Sequence, residues 1–128
     1  APTVVSLPND HPLGTRVEGR LSGPPASVLE LVAALHPPPA VGGDPQGKAL
    51  AMIRELERAD RGRYAGPMGW VDGAGNGAFV VAIRSAQLDG NEARLFAGVG
   101  VVADSDPDAE LAETRAKFQA MLPALLQL

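Results

Sequence analysis

The sequence predicts an α/β fold in which a mostly antiparallel sheet packs with helices, and three observations carry that reading. Ala26 to Leu35 and Gln46 to Arg58 space apolar side chains at helical intervals. Between Met68 and Val102, short apolar runs alternate with glycine-rich turns, the pattern of adjacent antiparallel strands. A third helical stretch opens at Asp106 behind a capping residue and a proline. The expected order is one early strand, two helices, a three-strand meander and a terminal helix. With 128 residues and 45% hydrophobic side chains, residues 1–128 make one compact domain or part of a larger one.

Composition narrows the function classes. A net charge of −4 argues against a binder of nucleic-acid phosphates. The absence of cysteine excludes disulfides and thiolate metal sites, and agrees with a reducing, cytoplasmic setting. No run approaches the roughly 18 apolar residues of a membrane span. The chain opens at Ala1 with neither a start signal nor a basic-then-apolar leader, which leads us to expect a fragment.

Along the chain, residues 1–12 carry Pro2, Pro8 and Pro12 and read as an extended lead-in. Gly14 to Leu21 alternates weakly and reads as a strand, ended by the Gly23-Pro24-Pro25 turn. In the first helix Val28, Leu29, Val32 and Leu35 carry the apolar spacing, and His36-Pro37-Pro38-Pro39 stops it. Ala40-Val41-Gly42-Gly43 is small and glycine-rich, so backbone can approach something closely there. Asp44-Pro45 reads as cap plus proline, opening the second helix. Arg61 to Pro67 is a loop, Met68 to Val71 a short strand, and Asp72 to Gly77 a turn.

Ala78 to Leu88 is apolar on both faces and reads as a strand covered on each side. Arg84 interrupts it, and a buried guanidinium costs several kcal/mol unless an anion meets it. Asp89-Gly90-Asn91 turns the chain into a strand from Ala93 to Val102, interrupted by Gly98 and Gly100. A three-residue loop there would pair Arg84 with Phe96 and place Arg84 and Gly98 on one face; a two-residue loop would separate them. The first register is the expected one.

The terminal helix is expected from Asp106, with Pro107 at its first position, to about Leu122, where Pro123 interrupts it. Glu110, Glu113 and Lys117 fall within roughly 60° around its axis. Such a stripe is either a solvated face with a Glu113–Lys117 pair or a place for a hard cation and an anionic substrate.

Taken together these segments resemble the chorismate-utilising enzymes, and among them the isochorismate synthases. The matching stretches are Leu35 to Pro45, Arg61 to Trp70, Val81 to Ala86, Leu95 to Val102 and Glu110 to Lys117, in the family's order and at about its spacing. The resemblance implies the C-terminal portion of a chorismate-binding domain, about half of a larger layered fold. It implies conversion of chorismate to isochorismate, with Mg2+ as cofactor. Glu113 would be a Mg2+ ligand, and Glu110 would help hold the ion through its water. Arg84 and Lys117 would clamp a substrate carboxylate, assisted by the Gly98 backbone N–H. Tyr64, Ala40, Val41 and Ile83 would line the ring pocket, with His36 close by. Read without the resemblance, His36 serves equally as a backbone hydrogen-bonding partner and Tyr64 as a core aromatic.

The sequence also departs from the family pattern. Pro38 stands for a usual threonine, Ala78 for a glutamate and Val99 for an alanine. The family's water-activating lysine, its acid and a second magnesium carboxylate lie upstream of the matched portion. Each acid or base is worth about 10²–10⁴-fold, so weak or no turnover is expected of this chain alone. A salicylate synthase and a non-catalytic remnant remain open alternatives, and so does the pathway served, siderophore or menaquinone. A half-fold should expose apolar surface and either self-associate or pair with the missing portion.

Overall fold

Ser27 starts the first helix with a reciprocal cap. Its hydroxyl accepts from the Glu30 backbone N–H at 3.4 Å, and its own backbone N–H donates to the Glu30 carboxylate at 2.8 Å. In the computed structural model, which describes residues 1–5 and 13–126, this helix, α1, spans Val28–Leu35. It follows a small antiparallel pair, β1 (Thr3–Val4) and β2 (Leu13–Gly14). Then come α2 (Pro39–Gly42), α3 (Gln46–Glu57), β3 (Pro67–Val71), β4 (Gly77–Val81), β5 (Ser85–Asp89), β6 (Glu92–Phe96) and α4 (Pro107–Leu125). The fold is mixed α/β with small antiparallel sheets, as the sequence predicts. Among the described residues no helix is long and apolar enough to cross a membrane.

Several expectations need correction. Gly14 to Leu21 is not a strand: only Leu13–Gly14 pairs, and residues 15–22 have no ladder partner. The extended lead-in holds where it is described, with a short strand at Thr3–Val4, and residues 6–12 lie outside the described residues. Ala40 to Gly42, read from the sequence only as small and glycine-rich, belongs to a short helix, where Pro39 supplies a pre-set first turn. Asp44 does not cap α3; Pro45 occupies that position without a side-chain hydrogen bond. The terminal helix runs past Pro123 to Leu125. Asp106 does cap it, accepting from the Ala109 N–H at 2.8 Å.

The sheet region differs most. The expected meander is two separate hairpins, β3–β4 and β5–β6. Ala78 to Leu88 is broken after Ala82. The Ala82 carbonyl accepts from the Ala65 N–H and the Ala82 N–H donates to the Gly66 carbonyl, each 2.8 Å, just past the last β3–β4 pair, Pro67 with Val81. The Ile83 N–H then turns back to the Val81 carbonyl, and Arg84 takes φ 50°. Arg84 is therefore an exposed residue at a left-handed bend, not a buried one inside a strand. Asp89 pairs with Glu92, so the second hairpin has the two-residue loop and the favoured register is wrong by one. The strand also ends at Phe96, leaving residues 97–102 as irregular chain.

Little of the molecule is covered. Among the described hydrophobic residues only Ala65 is buried, while Leu35, Trp70 and Val101 are 75%, 59% and 74% exposed. The accessible surface is 10506 Å². A compact monomer of this mass exposes about 6,400 Å². An apolar groove of about 330 Å³ lies between α1 and β3–β4, lined by Val28, Leu31, Leu35, Phe79 and Val81.

Candidate functional site

The site is assembled where six stretches of chain meet around a cavity of about 230 Å³. The short helix α2 brings Ala40 and Val41, and the end of α3 brings Glu57. The following turn brings Arg61 and Tyr64, and the bend after β4 brings Ile83 and Arg84. The irregular segment 97–100 forms another wall, and α4 contributes Lys117.

Left-handed backbone shapes two of these walls. Ala65 and Arg84, at φ 63° and 50°, both line the cavity, although non-glycine residues cost roughly 1–2 kcal/mol in that region. In segment 97–100 the close approach is at Gly98. A methyl group added at Gly98 would lie 2.9 Å from the Tyr64 hydroxyl, so glycine lets the ring reach this wall. Tyr64 stacks on Phe96, with centroids 5.5 Å apart and planes 14° from parallel.

The charges are held in place. Lys117 Nζ donates to the Gly98 carbonyl at 3.0 Å and pairs with Glu113 at 2.7 Å. Arg61 donates through Nε to Glu57 at 2.7 Å and through Nη1 to the Val41 carbonyl at 3.1 Å. That guanidinium lies over the Tyr64 ring, 5.6 Å from its centroid. The hydrogen bond from Arg61 holds the Glu57 carboxyl below its usual value, and the same bond raises Arg61. Glu110 accepts from the Ser105 hydroxyl at 2.6 Å.

Seven residues singled out from the sequence thus share one cavity: Arg84, Lys117, Gly98, Tyr64, Ala40, Val41 and Ile83. His36 is placed elsewhere, on the apolar groove beside α1. Gly98 meets Lys117 through its carbonyl. Glu113 and Glu110 are outside the cavity lining, on the helix that carries Lys117. Among the described residues no group of three or more His, Cys, Asp or Glu side chains is arranged to hold a metal. Two hard carboxylates one turn apart are nonetheless the donor type Mg2+ takes, since it usually keeps several waters. Sequence reasoning missed Glu57 and Arg61. Their i,i+4 spacing at a helix end, acid first, was the available signal.

Comparison with known proteins gives this cavity a family. The profile of the family described as chorismate binding enzyme matches residues 1–126. The isochorismate synthase MenF of Bacillus subtilis is 53% identical over 100 residues, covering 78% of this chain and 21% of the relative. The salicylate biosynthesis isochorismate synthase of Pseudomonas aeruginosa is 49% identical over 125 residues, covering 98% and 26%. A crystal structure from Bacillus anthracis, described as a 2,3-dihydroxybenzoate-specific isochorismate synthase, superposes with a TM-score of 0.92 at 48% identity. It covers 97% of this chain and 33% of that one. The chain therefore spans between a fifth and a third of the length of these relatives. With nearly its whole length matched, it belongs to the chorismate-binding enzyme family, on the isochorismate synthase side.

Proposed function

We propose that this chain is part of an isochorismate synthase and forms one wall of its chorismate site. The observation that supports this best is the convergence of Arg84 and Lys117 on one small cavity walled by Tyr64, Ala40, Val41 and Ile83. A dicarboxylate with a flat ring needs both parts: fixed positive charge at one end and apolar contact along the ring. In this reading Arg84 offers a planar fork to a carboxylate and Lys117 a point charge. The Gly98 carbonyl and Glu113 orient the ammonium so that no search is needed when the substrate arrives.

The proposed reaction adds the oxygen of water at one ring carbon, with loss of a proton, while the hydroxyl at another carbon takes up a proton and leaves as water, so the product is an isomer of the substrate. Glu113 and Glu110 are the proposed Mg2+ holders, and the ion would supply positive charge beside a substrate carboxylate. The chain's own residues bind and orient; the groups that move protons are expected in the remaining length of the protein. Turnover by this chain alone is therefore expected to be weak or nil.

Titrating the chain with chorismate, with and without Mg2+, tests the binding half, and product chromatography tests the chemistry. Saturable binding that is lost in Arg84→Ala and Lys117→Met is the expected result. Equal binding by these variants would overturn the assignment. Release of salicylate and pyruvate, instead of isochorismate, would move the protein to the salicylate synthases.

A further inference from the structure

We propose that Arg61 is a positioning residue, the tie that holds Tyr64 and α2 in the shape the cavity needs. This rests on the chorismate-site reading but reaches a residue which that reading does not use.

The guanidinium offers five N–H donors in a fixed plane. Two point at Glu57, one at the Val41 carbonyl, and the guanidinium carbon lies over the Tyr64 ring, 5.6 Å from its centroid. Each partner belongs to a different stretch, and all three line the cavity. The bond to Val41 matters because α2 is four residues long and has no side-chain cap. Such a helix leaves its carbonyls without partners inside it, and Arg61 supplies one. Glu57 neutralises the same guanidinium, so the cavity's third cation is spent on its wall and not offered to the substrate. Lysine could not replace it, because a single ammonium nitrogen cannot span both carboxylate oxygens of Glu57 and the Val41 carbonyl as the three guanidinium nitrogens do. The role is to fix the distance between the ring wall and the α2 wall.

The experiment uses the 128-residue chain and three variants: Arg61→Ala, Arg61→Lys and Glu57→Gln. The Tyr64 ring resonances and the hydrogen exchange of the Val41 and Gly43 amides are followed by NMR, with chorismate affinity measured alongside. We expect Arg61→Ala to shift the Tyr64 signals and speed exchange at those amides by about tenfold or more, with overall helicity kept. Arg61→Lys should fail to restore either, whereas millimolar ethylguanidinium should restore both in Arg61→Ala and an equal concentration of sodium chloride should not. Unchanged Tyr64 signals and amide exchange in Arg61→Ala, or full replacement by lysine, would overturn the proposal. Should Arg61→Ala fail to fold, Glu57→Gln decides, since it keeps the side-chain shape but removes the charge and turns one of the two acceptor oxygens into an NH2 donor facing the fork: a Tyr64 shift supports the role and its absence refutes it. Absence of chorismate binding by the unaltered chain would count against the site reading alone, because the Tyr64 and α2 measurements judge Arg61 without it.

Discussion

Lys117 shows how one side chain is prepared for an anion. Its half-buried ammonium is already bonded to the Gly98 carbonyl and to Glu113, with its third proton left to point elsewhere. Replacing it with methionine keeps the stem and removes the charge. Chorismate affinity is expected to fall by about tenfold or more, the usual cost of deleting a charged hydrogen-bond partner, and calorimetry would read it directly. Glu57 makes a second prediction, this one about pH. Its folded pKa lies below the ordinary 4.5, chiefly because Arg61 donates to it. A depressed carboxylate adds stability above its unfolded value, and that share is lost as pH falls through the lowered folded value. Denaturant midpoints measured down from pH 5 should therefore decline less steeply in Glu57→Gln than in the unaltered chain. Parallel declines would mean that the Glu57–Arg61 pair adds nothing to the folded state.

At the scale of elements, what was legible in the sequence was local. The Asp106 cap, the Pro37 to Pro39 stop and the Asp72 to Gly77 turn each act within a few residues, so their elements could be read directly; the Ser27 cap is equally local but was not picked out. The break at Arg84 could not, because it is made at a distance. Ala82 is held by Ala65 and Gly66, and only then does the chain bend. An apolar run read in isolation looks like one strand. The same blindness moved the β5–β6 register by one and hid Glu57 and Arg61, whose role depends on α2 being beside them. The site residues were brought in mainly by family resemblance; residue pattern alone flagged Arg84, Gly98, the small stretch Ala40 to Gly43 and the α4 stripe. Two substitutions test the local devices. Asp106→Ala should cost about 1 kcal/mol by removing the cap of α4. Arg58→Gly should gain roughly 1 kcal/mol, since exposed Arg58 ends α3 at φ 49°, where glycine carries no strain. Thermal unfolding in which neither variant moves the midpoint would show that these helix ends are not held as described.

At the scale of the molecule, the governing fact is open surface. The chain exposes roughly 4,000 Å² more than a compact monomer of its mass would. It nevertheless superposes closely on a third of a much longer relative. Both facts suit a shape maintained by packing against something else, with Leu35, Trp70, Val80 and Val101 on the faces to be covered. The chain on its own is expected to self-associate through these faces, and light scattering should report more than one chain per particle at micromolar concentration. Trp70, the single tryptophan and 59% exposed, makes the event visible. Its emission should move to shorter wavelength as concentration rises and water leaves the indole. Adding the remaining length of an isochorismate synthase as a separate polypeptide should compete with that self-association and return the particles to a defined one-to-one complex. A monodisperse monomer with constant Trp70 emission and no response to that polypeptide would mean the open faces need no cover. The cavity would then have to hold its shape from Arg61, Tyr64 and Lys117 alone.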